Sequence, residues 1–322
     1  DGVNTVIPHG DTVYNPTNRP NLFISEADAI DLGNNFASLH PMMQPMMSMF
    51  NAGDLAVIHR VGYANQSRSH FDSQDYWERG VPHNPDVKDG MFYRQLQEML
   101  DLTDPTNSFA AASIDGSAFT ALKGSTPFPN FTSAEQFNFL GDADERSKFL
   151  GQLPSGVGAG DGKGVLGLYG DSPLAKAFYA NTVHSTGTAL GGTLNTLAGA
   201  EGAYVPENGA VYPGGSLGDR LSECAKLFKR TDARILGVET GGFDTHSNQG
   251  AIYGSHGNRL QGVAEGFNAL SLDLQDQWDD LVIVTMTEFG RTSLENGSGG
   301  TDHAEASAIF VAGGGVNGGV YN

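Results

Sequence analysis

Residues 233–240 read A-R-I-L-G-V-E-T and run directly into G-G-F-D-T-H at 241–246; residues 281–287 read L-V-I-V-T-M-T and run into Glu288-Phe289-Gly290-Arg291. Each apolar run is of strand length and ends in groups that bind cations. In an open parallel sheet, ligands bind in the crevice beyond the carboxyl ends of the strands. A glycine-rich loop then delivers Thr301-Asp302-His303 at the edge of a third apolar run, Ala306 to Val311. Between the first two runs, Leu260, Val263, Phe267, Leu270 and Leu274 recur at three- and four-residue steps, which predicts a long helix from Asn248 to Trp278. Strand, helix and strand over 233–287 therefore predict a βαβ unit with a right-handed crossover.

Outward from this quarter, Asp54 to Val61 reads as another short buried strand, and 36–52 as helical after Pro41 with its methionines packed in the core. A polar loop enters a further helix near Ser69, where Asp72 three residues on has the spacing of a capping box. The middle, about 101–230, alternates a strand-like piece (Ala110–Ile114), a glycine loop (Gly156–Gly164) and a helix (Leu217–Phe228). Insertions that shape a substrate site are expected there. No polar linker cuts the chain, so a single domain over 1–322 is expected.

The chain has 322 residues, 39% of them apolar, with 44 glycines that follow no fixed period. Its formal net charge of −19 argues against a nucleic-acid or anionic-membrane partner, because phosphates are repelled. Cys224 is the sole cysteine, so no intramolecular disulfide forms; its neighbours Leu221, Ala225, Leu227 and Phe228 read as a helix core around a structural thiol. No apolar run reaches the roughly 18 residues needed to span a bilayer.

The chemistry concentrates in a few residues. Asp244 and His246, two apart after Gly241-Gly242, are suited to one divalent cation; the alternative is an Asx-turn beside a surface histidine. Glu288 ends a strand, where a carboxylate needs a metal or a counter-ion, and Arg291 supplies the second possibility. Asp302 and His303 add an adjacent acid and imidazole. In S-R-S-H-F (67–71), Ser69 is either a nucleophile at a helix N-terminus or only its cap, with Ser67 close enough to be confused with it. Arg68 is placed to neutralise an oxyanion, and His70 to orient a leaving group or a metal.

The stretches D-G-V-N-T-V-I-P (1–8), G-D-L-A-V-I-H-R-V-G (53–62), S-R-S-H-F-D-S-Q-D-Y-W-E-R-G (67–80), G-G-F-D-T-H-S-N-Q (241–249) and T-E-F-G-R-T-S-L-E-N-G-S-G-G-T-D-H (287–303) resemble a bacterial secreted family of unknown function placed in the alkaline phosphatase and sulfatase superfamily. The resemblance runs from residue 1 to residue 322. It implies an alkaline-phosphatase-like three-layer α/β/α sandwich with a mostly parallel central sheet, a metal centre at the strand ends, and export to the periplasm or beyond, often by the twin-arginine route. It also implies a strand before Asp1 and further chain after Asn322. On this resemblance Asp1 matches the aspartate that bridges the metals, Ser69 the nucleophile, Asp244 and His246 the first ligand pair, Glu288 the acid of a strand-end D-H pair, and His303 the late histidine ligand. Phe289 departs from the pattern by replacing the histidine of that pair, and no C-x-P-x-R sulfatase signature is present.

Residues and resemblance together lead to an expected metal-dependent hydrolase of phosphate or sulfate esters. Its expected catalytic residues are Ser69 and His70, its substrate-binding residues Arg68 and Arg291, and its metal ligands Asp1, Asp244, His246, Glu288, Asp302 and His303. Zinc is the expected cation, with magnesium, manganese or calcium as alternatives, and a small ester or a sulfated or phosphorylated glycan the substrate. The competing expectation is a non-catalytic exported scaffold for adhesion or assembly that keeps the fold and one ion.

Overall fold

The computed structural model describes residues 2–137 and 178–322. Asp1 and the glycine loop Gly156–Gly164 therefore lie outside the described residues. In chain order the elements are α1 (Gly2–Thr5), β1 (Val6–Ile7), β2 (Ile30–Asp31), β3 (Ser38–Leu39), α2 (Met47–Ala52), β4 (Leu55–Val61), α3 (His70–Arg79), α4 (Met91–Met99), β5 (Ala111–Ser113), α5 (Phe178–Ala200), α6 (Ser216–Arg230), β6 (Ile235–Gly237), α7 (Ser255–Asp273), β7 (Ile283–Val284), β8 (Ser307–Ala312) and β9 (Gly319–Tyr321). They form two compact units, the first from Asp1–Val87, Val205–Ala225 and Glu239–Asn322, the second from Lys88–Tyr204 and Lys226–Val238.

The first unit is built on a four-stranded mixed sheet of order β7-β8-β4-β9. Its centre is the antiparallel pair β4–β8, and β9 runs parallel to β4. β8 reads S-A-I-F-V-A, and its residues alternate between half-buried and buried, as the two faces of a pleated strand require. Met43, Met46, Met47 and Met49 fill the core together with Leu55, Val57 and Phe310 of the sheet and Leu260, Ala264 and Phe267 of α7. The segment expected to be helical after Pro41 is a 3-10 turn over Pro41–Met46, and only then the α-helix α2. Pro45 explains the change, since it has no N–H to donate to an α-helical ladder. A three-stranded antiparallel sheet, β1-β3-β2, completes the unit.

In the second unit the parallel pair β5–β6 is accompanied by a core of Tyr93, Leu96, Leu102, Ala110, Ala111 and Leu122. Lys226, almost fully buried, donates to Glu135 Oε1 at 2.8 Å; this bond, followed by one from Ser133, holds the Glu135 carboxyl down to about 2.

The expected three-layer sandwich with a mostly parallel central sheet is not formed. Among the described residues the sheets are small, and the only all-parallel one has two strands. The expected βαβ unit over 233–287 is absent as well, because β6 pairs with β5 while β7 pairs antiparallel with β8. The run Leu281–Thr287 looks like a strand buried on both faces, yet Val282 and Val284 are 61% and 43% exposed. β7 is an edge strand with one wet face, which an antiparallel sheet tolerates and a central parallel strand does not. Among the described residues no helix is long and apolar enough to cross a membrane.

Two core histidines give this unit a pH signature. His40 is fully buried, its Nδ1 accepting from the Met42 N–H at 3.2 Å and its Nε2 donating to Ala251 O at 2.9 Å. His256 is fully buried at the start of α7, near Thr5 Oγ1. Burial pushes both imidazoles below their usual pKa, His256 well below. Both are therefore neutral in the folded chain, whereas the unfolded chain binds protons there below about pH 6.5. Stability is expected to be fully present above that pH and to fall beneath it, with His256 contributing up to about 1.4 kcal/mol per pH unit and His40 adding in the same direction. Urea denaturation between pH 7.5 and 5 measures the slope, and His256→Gln should flatten it; an unchanged slope in that variant would remove His256 from the account.

Candidate metal centre

The candidate residues lie in the first unit, on three segments that the backbone ties together. Asn248 N and Gln249 N donate to Ser298 O and Gly299 O at 3.0 and 2.9 Å, and Thr301 N donates to Thr245 O at 3.1 Å, so the glycine loop lies along the 245–249 segment. Arg291 and His303 face each other as an antiparallel bridge. Thr292 N donates to Asp302 O, and Gly290 N and Ala304 N close the hairpin on Glu305 O and Gly290 O. The third segment, leading into α3, is pinned by Gln66 Nε2 and Ser73 Oγ, both donating to Glu288 O at 2.8 and 2.9 Å.

Each of three histidines in this cluster has its Nδ1 on an oxygen that only accepts. His246 Nδ1 lies 2.9 Å from Asp302 Oδ1, His303 Nδ1 2.9 Å from the backbone oxygen of Arg68, and His70 Nδ1 2.7 Å from Glu288 Oε1. A neutral imidazole carries one N–H, so these contacts assign it to Nδ1 and leave the Nε2 lone pair free. The Nε2 atoms all turn to Asp244. Those of His246 and His303 are each 2.9 Å from Asp244 Oδ1 and 3.0 Å from one another, and that of His70 is 3.5 Å from Asp244 Oδ2. His70 Nε2 is buried and makes no hydrogen bond among the described residues. The facing lone pairs repel until a proton or a metal cation joins them.

A metal fits this donor set. A carboxylate or carbonyl on the far nitrogen of each ligating histidine is the usual second layer of a metal site, fixing tautomer and ring orientation. The separations of 2.9 to 3.0 Å among Asp244 Oδ1, His246 Nε2 and His303 Nε2 are near the roughly 3.3 Å edge of a tetrahedron with bonds of about 2.0 Å, while His70 approaches the other carboxylate oxygen, Oδ2, at 3.5 Å. His70, Asp244 and His303 bring their ligand atoms within 4.8 Å of one another. Phe289, buried beneath them, packs its ring 4.8 Å from that of His70 and 4.5 Å from that of His303, so it serves as the floor of the cluster.

The remaining candidates fall around this inner group. Glu288 and Asp302 hold histidines and do not themselves converge on Asp244. Arg291, 4% exposed, is committed to the protein: Nη1 donates to Thr301 O at 2.7 Å and Nη2 to Asp244 Oδ1. Burial alone would raise the Asp244 carboxyl, but the bond from Arg291 and the positive charge beside it outweigh it and hold the group far below the carboxylate range. The bond from His246, then that from Asn296, lowers Asp302. Arg68 contributes its carbonyl, while its exposed guanidinium lies 3.6 Å from Glu305. Ser69 is exposed and caps α3, its Oγ accepting from Asp72 N at 3.5 Å; Ser67 Oγ accepts from Ser69 N.

Two organising residues escape a reading by ligand type. Asn296 accepts from Ser298 N and Gly300 N and donates to His246 O and Asp302 Oδ1. Gln249, fully buried, accepts from both Thr245 Oγ1 and Thr301 Oγ1 at 2.8 Å. Asn296 opens an N-G-S-G-G turn, a signal of loop geometry; nothing local marks Gln249.

Residues 223–322 match the family model described as "Protein of unknown function (DUF1501)". This stretch is a DUF1501 domain. No curated protein and no solved structure matches the chain. The DUF1501 stretch holds Asp244, His246, Glu288, Arg291, Asp302 and His303; Arg68, Ser69 and His70 come from outside it, so the cluster joins the domain to the earlier part of the first unit.

Proposed function

We propose that the first unit is a divalent-metal-dependent hydrolase of phosphate or sulfate esters. The observation that carries this reading is the convergence of three Nε2 atoms on Asp244, each imidazole held from behind by an oxygen. His70, Asp244, His246 and His303 would hold the cation. An imidazole-rich set favours zinc, or manganese or iron, over magnesium and calcium, which prefer oxygen ligands. When bound, such a cation supplies Lewis-acid charge that lowers the pKa of a neighbouring hydroxyl and screens charge on ester oxygens.

The chain's own groups do the rest. Ser69 offers an exposed hydroxyl beside His70, at a helix N-terminus whose free N–H groups favour an incoming anion. Arg68 is the cation left to face a substrate oxyanion, since Arg291 is taken up by Asp244. The motif resemblance supports the ester class, a small or glycan-linked substrate, and a periplasmic or extracellular site of action. A second reading, a non-catalytic scaffold, is favoured by one observation: the Arg291 guanidinium already neutralises Asp244, as in a structural ion-pair hub.

Elemental analysis of the purified chain, alongside turnover of p-nitrophenyl phosphate and p-nitrophenyl sulfate, separates the two. Ser69→Ala is expected to retain metal and lose turnover, with about 1 kcal/mol lost from the α3 cap. Wild-type turnover in Ser69→Ala would remove the nucleophile role, with Ser67→Ala tested beside it. Metal without hydrolysis of either ester, or neither, would favour the scaffold.

A further inference from the structure

Arg291 occupies an unusual position relative to the three histidines. Its guanidinium is buried, and Nη2 donates to Asp244 Oδ1, the same oxygen that lies 2.9 Å from both His246 Nε2 and His303 Nε2. With the imidazole protons on Nδ1, Oδ1 and the two Nε2 atoms are electron pairs facing one another. Among the described residues, the positive charge contacting this oxygen is that of Arg291. A cation bound by those atoms must share Oδ1 with a fixed positive group in a partly desolvated site, where like charges repel far more strongly than in water.

We propose that Arg291 is an intramolecular stand-in for the metal, which holds Asp244 in place without the cation and weakens the cation's binding. This deepens the metal reading above and rests on it. Arg291 has a second anchor, Thr301 O at 2.7 Å from Nη1, so the guanidinium stays attached to the hairpin when its bond to Asp244 is given up. The backbone bridge between Arg291 and His303 ties the side chain to the ligand it neighbours. Arg291 is thus a positioning residue that sets how readily the cation exchanges. A purely structural arginine would behave oppositely, because its loss would loosen the site and weaken binding.

The test is titration of the full chain with Zn2+ against a chromophoric chelator, for wild type, Arg291→Lys, Arg291→Gln and Arg291→Met. The neutral variants are expected to bind Zn2+ about tenfold more tightly or better, the scale on which groups beside the ligands set metal affinity. Arg291→Lys, which keeps the charge, should stay near wild type. Binding in the neutral variants but not in wild type would support the proposal in its strongest form. Equal or weaker binding in folded neutral variants would overturn it while leaving the metal reading intact. Absence of binding in every protein would overturn both. Should the neutral variants fail to fold, the guanidinium resonances of Arg291 in 15N-labelled wild type decide: they should move as Zn2+ is added, and signals unchanged at saturation would overturn the proposal.

Discussion

Asp244→Ala is expected to abolish stoichiometric metal binding and to destabilise the first unit by about 2 kcal/mol. The first effect follows from geometry: Asp244 is the group toward which His70, His246 and His303 all turn, and without it the Nε2 atoms have no shared anionic partner. The second follows from Arg291. Its guanidinium is 4% exposed, and removing the carboxylate leaves a buried cation with Thr301 O as its remaining hydrogen-bond acceptor among the described residues. Breaking a fully buried ion pair costs roughly 3–5 kcal/mol. Asp244 is 46% exposed, so water screens part of the interaction and the cost is smaller. Urea denaturation and elemental analysis measure the two effects, and a cycle with Arg291→Gln isolates the coupling. A loss below about 0.5 kcal/mol, the size of an ordinary surface substitution, would mean that Asp244 does not hold Arg291.

Gly300→Ala should disable the site from its backbone, without touching a ligand. A Cβ at Gly300 would lie 2.3 Å from the carbonyl carbon of His246, 2.5 Å from its oxygen and 2.5 Å from Ser247 N. These are main-chain atoms, so no flexible side chain gives way and the loop must move off the 245–249 segment. The bonds Thr301 N to Thr245 O, Asn248 N to Ser298 O and Gln249 N to Gly299 O set the register of that approach and would be strained together. His246 then leaves the position in which its Nε2 meets Asp244. Overpacking of this kind costs about 1–3 kcal/mol, and Zn2+ affinity should fall by more than about tenfold, the scale set by displaced supporting groups. Gly297→Ala is the control, since a Cβ there meets nothing within 4 Å. Equal metal affinity in the two variants would show that the close approach at Gly300 does not position His246.

Local sequence carries the helices and central strands because each is decided within a short window. The apolar steps Leu260, Phe267 and Leu270 are buried on α7, Ser69 caps α3, and the runs at 55–61 and 307–312 pair as β4 and β8. Most of the residues now found in the cluster were also legible as polar groups following apolar runs, since carboxylates and imidazoles in such places need a partner. What the window does not contain is the identity of that partner. Glu288 reads as an ion pair for Arg291 three residues away, yet it holds His70 across 218 positions, and Arg291 holds Asp244 across 47. In the same way the run at 281–287 is apolar enough for a central strand, and only its neighbours make β7 an edge with Val282 and Val284 in water. Sequence by itself marked several of the segments that pair as strands or coil as helices, and the groups that are candidates for chemistry. Tertiary structure decided which strands pair, which nitrogen of each histidine keeps its proton, and which carboxylate lies at the centre, because register and side-chain partners are set by contacts between segments far apart in the chain.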